Sequence, residues 1–562
     1  MGITPRGVIA AGHEKTVRAA EVILREGGNA FDAALAGLAC ACVAEPILAS
    51  LGGGGYLLAR TAEGDSSVYD FFVQTPQRKK PSAELDFFPI SADFGTAQQE
   101  FHIGKGAIAV PGLVRGMFAV HRDLGILPMK DIIAPAVTFA KEGVSINELQ
   151  AYIFSIMGDI CVSTPEAAAI YGRQKENTSK TSPIEGVSPK GITEQQTKRI
   201  GATSHQSLLR PIAQGEIFRQ PMLADTLESL AIEGEDLFYR GEIAKHIVRD
   251  MEDGGGHLTA RDFEHYRSER RVPLQLVYRG ERLVTNPPPS SGGLLIGFAL
   301  KLLESAPEYL ALVRQAGGFD SLERLKQLAQ VMELTSQARV ETETRWDVYS
   351  SDQDYPLLDP EYLAVYRERV AHVPRALRGT THISIVDGDG NVASLSVSNG
   401  EGAGYVVPGT GIMLNNMLGE EDLNPGGFHR WPTNRRMTSM MAPTVIEFQG
   451  GGHPKKGILA TGSGGSNRIR SALLQVLVNV IDFQMDVETA VQAPRIHYED
   501  GLFSIENGFG PGDITPLLNS FARHHVWSER NLFFGGAHTV SWDGNRFQGA
   551  GDTRRGGVSL LV

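Results

Sequence analysis

Cysteine is almost missing from this chain: its 562 residues hold three, Cys40, Cys42 and Cys161. An odd count without metal-ligand spacing excludes a disulfide framework and a zinc site. Cys40 and Cys42 fall in an Ala-rich apolar run, where thiols are ordinarily buried and unreactive. Long hydrophobic runs are missing as well. No stretch reaches the roughly 18 uncharged apolar residues that a membrane-spanning helix needs. Positive charge is in deficit, with 53 Lys and Arg against 65 Asp and Glu and a net charge of −12 at pH 7. That balance argues against nucleic acid or an anionic membrane as partner, because both are bound through basic patches. The first residues, MGITPRGVIAAGHE, lack the basic segment and apolar core of a secretory signal. Arg6 stands where a myristoylation pattern needs Ser or Thr, so the expectation is a cytoplasmic protein. Three catalytic signatures are absent too. There is no Gly-x-Ser-x-Gly elbow and no Walker loop, and the run from Gly462 to Asn467 lacks the third glycine of a dinucleotide fingerprint.

What remains is an average soluble globular composition, 42% apolar and 21% charged. The length exceeds one ordinary domain, although a large enzyme fold can absorb it as a single unit. Asn29, with Asp32 three residues on, opens an Ala-rich helix that ends near Glu45-Pro46. A Gly52–Gly55 run and an apolar strand around Tyr56–Ala59 follow. Helical patterns over 113–170, 222–252 and 318–345 alternate with apolar strands, which predicts a layered α/β arrangement. Residues 172–206 are polar and aperiodic and read as a mobile surface insertion.

The most informative segment begins at Gly379-Thr380-Thr381-His382. Residues 382–386 and 391–398 flank Asp387-Gly388-Asp389-Gly390-Asn391, which predicts a β-hairpin with a Gly-containing turn. With Asp387 opposite Asn391, a uniform register sets Thr380 opposite Ser398. Period-2 alternation then places Thr380, His382 and Ser384 on one face, joined by Ser394, Ser396 and Ser398 of the partner strand. So many hydroxyls suit a nucleophile better than a core. A Thr hydroxyl needs a base within reach. A cut between Gly379 and Thr380 would supply one, since a free α-amine has a pKa of roughly 7.7–8.0. Gly379 tolerates the strained backbone that an internal acyl shift requires, and Ser398 could orient the Thr380 hydroxyl. Residues 457–461 read as a buried strand running into Gly462-Ser463-Gly464-Gly465-Ser466, with a helix over 467–484 behind it. Backbone N–H groups there could hold an oxyanion. His382 is expected to orient or pack rather than catalyse. Asp387–Asn391 is a plain turn and no calcium loop, because Val392 occupies the position that needs Gly.

Beyond these residues the chain resembles the γ-glutamyltransferase family, also called γ-glutamyltranspeptidases or glutathione hydrolases. The resemblance rests on 9–14 (IAAGHE), 27–34 (GGNAFDAA), 51–56 (LGGGGY), 106–112 (GAIAVPG), 236–241 (DLFYRG), 285–293 (TNPPPSSGG), 379–382 (GTTH), 411–416 (GIMLNN), 438–444 (TSMMAPT) and 461–469 (TGSGGSNRI), in family order. It implies a four-layered αββα sandwich of the N-terminal-nucleophile hydrolases. It also implies self-cleavage into a large chain, 1–379, and a small chain, 380–562, which stay associated, with further homo-oligomer formation possible. Thr380 matches the nucleophile and Ser398 a Thr that supports it. Asn399 lies beside a substrate-binding Asn, Thr438 and Ser439 match hydroxyls that bind the substrate carboxylate, and Gly464 and Gly465 match the oxyanion glycines. No metal or organic cofactor is implied, since nucleophile and base both come from Thr380.

The departures concern substrate. Phe72, in Asp70-Phe71-Phe72, stands where the family carries an Arg that clamps the γ-glutamyl carboxylate, and phenylalanine cannot replace a bidentate guanidinium. Met417 stands for a family Gln, and Glu420 approximates the acidic residue that holds the substrate amine, unless Glu420–Asp422 is only a solvated acidic turn. Arg554 and Arg555 could bind a substrate carboxylate or merely pair on the surface, and the surface is the expectation. The resemblance therefore implies a hydrolase or acyltransferase acting on a small-molecule amide or acyl compound. One reading keeps γ-glutamyl compounds, with Arg115, Arg435, Arg436 or Arg468 replacing the lost clamp. A second is a divergent member that cleaves another amide or a carbon–carbon bond in a biosynthetic or catabolic pathway. A third, from another class, is an uncut protein that binds a metabolite or partner without catalysis.

Overall fold

A computed structural model describes residues 5–93, 98–175, 209–315, 318–345, 356–358, 363, 379–424, 426–450, 456–510 and 513–562. Thirteen strands carry the architecture: β1 (Gly7–Ala11), β2 (Gly54–Arg60), β3 (Ser66–Phe71), β4 (Glu269–Arg271), β5 (Leu274–Tyr278), β6 (Glu281–Thr285), β7 (Thr381–Asp387), β8 (Val392–Ser398), β9 (Thr444–Phe448), β10 (Gly457–Gly464), β11 (Gly536–Trp542), β12 (Phe547–Ala550) and β13 (Val558–Leu561). They form two sheets, in the orders β4-β3-β2-β8-β7-β1-β13 and β5-β6-β9-β10-β11-β12. The two sheets pack face to face.

Helices cover both outer faces. On the first sheet lie α1 (Glu14–Arg25), α2 (Ala30–Ala44), α3 (Leu113–Leu124) and α4 (Met129–Glu142); on the second, α5 (Gly292–Glu304), α6 (Leu322–Arg345) and α7 (Arg468–Ile481). Asn29 caps α2 in a capping box with Asp32, as the sequence predicts, and every residue of that helix is buried. Its small side chains let it lie close to the sheet, where Ile383, Ile385, Leu395 and Val397 share one apolar cluster with it. Each such side chain removed from water contributes roughly 1.5–3 kcal/mol. The architecture is a four-layered αββα sandwich.

The predicted hairpin is present in the predicted register, with Thr381 opposite Val397, His382 opposite Ser396 and Ser384 opposite Ser394. It occupies the middle of the first sheet, with β1 on one side and β2 on the other. The reading of its hydroxyl face as unsuited to a core needs correcting. That face lies between the sheets and is fully buried at His382, Ser384, Ser394 and Ser396. Ser384 donates to the His538 carbonyl at 3.0 Å and Ser394 to that of Thr461 at 3.0 Å, so the hydroxyls hydrogen-bond the facing sheet. His382 bridges Ser396 and Ser384 at 2.8 and 2.9 Å. Because Ser384 spends its proton on His538, Nε2 of His382 must donate and Nδ1 must accept. Burial pushes this imidazole well below its usual range, and it stays neutral. His382 orients and packs, as expected.

Two boundaries differ from the sequence reading. Gly172–Gln174, the start of the supposed insertion, pairs with Leu209–Pro211 in a short ladder, and residues 176–206 lie outside the described residues. The strand predicted to end at Thr461 continues to Gly464, with Ser463 opposite Ala537 and Gly464 opposite Gly536. Among the described residues no helix is long and apolar enough to cross a membrane.

Candidate active site

Thr380 lies just before β7, 5% exposed, at the end of the polar seam between the sheets. Three segments converge on the Gly379–Thr380 bond. From β8, the Ser398 hydroxyl donates to the Gly379 carbonyl at 2.6 Å and accepts from the Gly400 amide at 3.0 Å. Ser398 therefore engages the carbonyl that a nucleophilic Thr380 would attack, where the sequence reading had it orienting the Thr380 hydroxyl. From the loop after β8, the Glu401 carboxylate accepts the Gly379 amide at 2.9 Å, and its own amide donates to Asn416 at 2.8 Å. From β10, Gly464 lies against the Thr380 carbonyl so closely that a Cβ would collide with its oxygen. Gly465 takes a φ of +118°, open to glycine and strained for other residues, and turns the chain into α7. Gly464 thus packs directly against Thr380, and Gly465 follows it beside Arg555 and Arg468.

The candidate recognition residues are also buried. Asn399 is fully buried, and among the described residues neither polar atom of its side-chain amide has a hydrogen-bond partner, an arrangement that costs free energy unless a ligand or water completes it. Glu420 is 3% exposed, and a Cβ on Gly400 would collide with its Oε1, so its carboxylate lies against the loop that carries Glu401. The solvated acidic turn applies to Glu421, which is exposed, and fails for Glu420. Thr438 and Ser439 are each 4% exposed; the Ser439 hydroxyl accepts from the Met441 amide at 3.0 Å. Met417 is buried in the apolar core.

Phe72 is packed, with its ring 5.5 Å from that of Tyr56. The cations offered as replacement clamps separate clearly. Arg115 pairs with Glu235 at 2.8 Å and lines a different groove of about 590 Å³. Arg435 is exposed. Arg436 reaches the Phe72 carbonyl, the Tyr266 hydroxyl at 2.6 Å, the Arg267 carbonyl at 2.6 Å and Asp70 at 3.2 Å. Burial works against that charge, but Asp70 together with Tyr266, Glu269 and Tyr56 more than offsets it and raises the pKa of Arg436. Arg436 is thus occupied as a brace. Replacing it by Met should cost about 3–5 kcal/mol of stability, because Asp70 is left buried beside Arg271 alone. A denaturation midpoint corresponding to a loss under about 1 kcal/mol would show that the brace is dispensable and the guanidinium available to substrate.

Arg468 and Arg555 sit beside the Gly464-Gly465 turn. Arg468 begins α7 with its guanidinium 4.5 Å from the ring of Phe533. Arg554 and Arg555 contradict the surface expectation, at 4% and 8% exposure. Arg554 is held by its near neighbour Asp552 at 3.2 Å and by Glu506, from a strand distant in sequence, at 2.5 Å. Arg555 projects to the other side: Nη1 lies 3.3 Å from where a Gly464 Cβ would be, and Nη2 3.1 Å from that of Gly465. Sequence reasoning also missed Glu45 and Glu401. Glu45 ends α2 and accepts from Thr381 at 2.6 Å and Thr16 at 2.9 Å, while burial raises its pKa against those bonds. A buried Glu-Pro at a helix end was the available signal for Glu45; Glu401 had none.

The γ-glutamyltranspeptidase family pattern matches residues 16–185 and 195–562. The chain is 28% identical over 555 residues to the glutathione hydrolase proenzyme of Escherichia coli (strain K12), covering 92% of this chain and 85% of that one. It is 28% identical over 555 residues to the acylase ACY 1 proenzyme of Pseudomonas sp. (strain SE83), covering 96% and 90%. The fold superposes on the cephalosporin acylase from Bacillus halodurans with a TM-score of 0.78 at 23% identity, covering 99% of this chain and 96% of the other. The chain belongs to the γ-glutamyltranspeptidase family and is an amide hydrolase or acyltransferase of the N-terminal-nucleophile type.

Proposed function

We propose that the chain cuts itself between Gly379 and Thr380 and then transfers acyl groups through Thr380. In the cut, the Thr380 hydroxyl adds to the Gly379 carbonyl carbon, the peptide C–N bond breaks, and its nitrogen leaves as the α-amine of Thr380. Water then hydrolyses the resulting ester to a Gly379 carboxylate and a free Thr380 hydroxyl. The observation that carries this reading is the 2.6 Å bond from Ser398 to the Gly379 carbonyl, because it polarises the bond to be broken. In turnover, the α-amine takes the hydroxyl proton as Thr380 adds to an amide carbonyl, and gives it to the departing amine. Gly464 and Gly465 would steady the oxyanion, and water or a second amine would release the acyl group.

For the substrate, we favour a group other than the γ-glutamyl moiety held in the family's manner. Phe72 is committed to Tyr56 and Arg436 to Asp70, so the missing clamp is not rebuilt at its old place. The second reading, retained γ-glutamyl recognition, is supported by Glu420, buried against the loop after β8, and by the buried hydroxyls of Thr438 and Ser439. Three anilides separate the two: butyryl-, glutaryl- and γ-glutamyl-p-nitroanilide differ only by a carboxylate and then an α-amine. Our reading expects γ-glutamyl to be no better than glutaryl. A preference for γ-glutamyl above about tenfold, equivalent to one charge-assisted contact, would establish the second reading.

A further inference from the structure

The groove of about 590 Å³ that Arg115 lines lies apart from the site just described. Its walls come from α3, from the turn that follows the helix Pro221–Glu233 and from Arg267 and Ser268. None of the residues that approach the Gly379–Thr380 bond takes part in it. Within it Arg115 and Glu235 face each other. Nη1 of Arg115 meets Oε1 of Glu235 at 2.8 Å, which uses one end of each group.

The other ends are open. Among the described residues, Nε and Nη2 of Arg115 and Oε2 of Glu235 are buried without a hydrogen-bond partner. A guanidinium and a carboxylate ordinarily close such a gap by pairing two to two. Here the Arg115 guanidinium is held by Tyr239, its central carbon 4.2 Å from the ring centroid. The backbone amide of Arg115 also donates to the Tyr239 hydroxyl at 3.3 Å. Arg115 is 8% exposed, while the Glu235 side chain keeps 23% exposure, so the pair belongs to the wall of the groove. Neighbouring charges are taken. Asp236 is paired with Arg240 at 3.1 Å, and Arg122 lies 3.5 Å from Asp123. Arg267 donates to the Glu264 and Tyr266 carbonyls at 2.6 and 2.7 Å.

A donor edge and an acceptor edge thus lie side by side, and each costs free energy until something completes it. An inorganic anion would fill Arg115 and set like charge against Glu235. A simple cation would do the reverse. A molecule with a carboxylate and an ammonium on one carbon meets both edges together. We infer that Arg115 and Glu235 form a second binding site, separate from Thr380, for a free α-amino acid. Its carboxylate accepts from Nε and Nη2 of Arg115, its ammonium donates to Oε2 of Glu235, and its side chain extends along the groove past Phe118.

The test titrates the purified protein with L-alanine, N-acetyl-L-alanine and L-alaninamide, read by calorimetry or saturation-transfer NMR. Acetylation removes the ammonium and amidation removes the carboxylate. The parent should bind L-alanine at least about tenfold more tightly than either blocked form, since each lacks one charge-assisted contact. Arg115→Gln and Glu235→Gln should each weaken L-alanine about 10- to 100-fold. The losses should also cross: Arg115→Gln no longer discriminates against L-alaninamide, and Glu235→Gln no longer discriminates against N-acetyl-L-alanine. A merely structural role would not produce that crossed pattern. No detectable binding of L-alanine by the parent would overturn the inference, as would equal binding of the three probes. Parental preferences retained in both variants would also overturn it, because the amino acid would then be held elsewhere, at Thr380 for example. Should Arg115→Gln fail to fold, the ratio measured on Glu235→Gln decides alone.

Discussion

Thr380→Ala should leave a single chain of full length after prolonged incubation, with turnover down at least about 10⁴-fold. Removing a nucleophile that also supplies the base eliminates both roles at once. Both losses follow from one atom, because the same Oγ attacks Gly379 in the precursor and the amide substrate in the mature enzyme. Intact mass and N-terminal sequencing read the first, and p-nitroaniline release the second. The parent should separate into two chains, the smaller beginning at Thr380. Thr380→Ser should still cut, more slowly, since it keeps the hydroxyl and loses the methyl that holds its rotamer. Parental turnover by Thr380→Ala would end the mechanism, whereas a parent that stays uncut and turns nothing over would leave the metabolite-binding reading in its place.

The second large effect belongs to Ser398. Its hydroxyl donates 2.6 Å to the Gly379 carbonyl, where negative charge develops as Thr380 adds. A donor at such a site is worth about 10²- to 10³-fold in rate. Ser398→Ala should therefore slow self-cleavage by that factor, while Ser398→Thr restores it. The measurement is the time course of precursor disappearance after refolding. Maturation of Ser398→Ala at the parental rate would show that this hydrogen bond belongs to the resting precursor only.

The parts of this site that were legible in the sequence depend on near neighbours. The hairpin register followed from the Asp387–Asn391 turn, and the α2 start from Asn29 and Asp32, each a matter of a few residues. Illegible were contacts made between sheets. Ser384 finds its acceptor at His538 and Ser394 at Thr461, and no local pattern announces strands that far apart. Two adjacent arginines near the end of a chain ordinarily read as solvated. Here Arg554 pairs with Glu506 and Asp552, and Arg555 packs against the Gly464-Gly465 turn. Glu401 was hidden for a different reason: its significance lies in a backbone amide, and backbone partners leave no trace in residue identity.

The placement of β7 and β8 has a consequence for what maturation makes. Their two strands lie between β1 and β2, hydrogen-bonded along both outer edges to segments from the beginning of the chain. With the proposed cut before Thr380 made, the two polypeptides would be covalently independent yet interleaved, neither owning a complete sheet. Separating them requires unzipping two ladders at the centre of the molecule, which amounts to unfolding it. Each mature heterodimer is thus a record of one parent molecule, and exchange of partners between them is closed except through the denatured state.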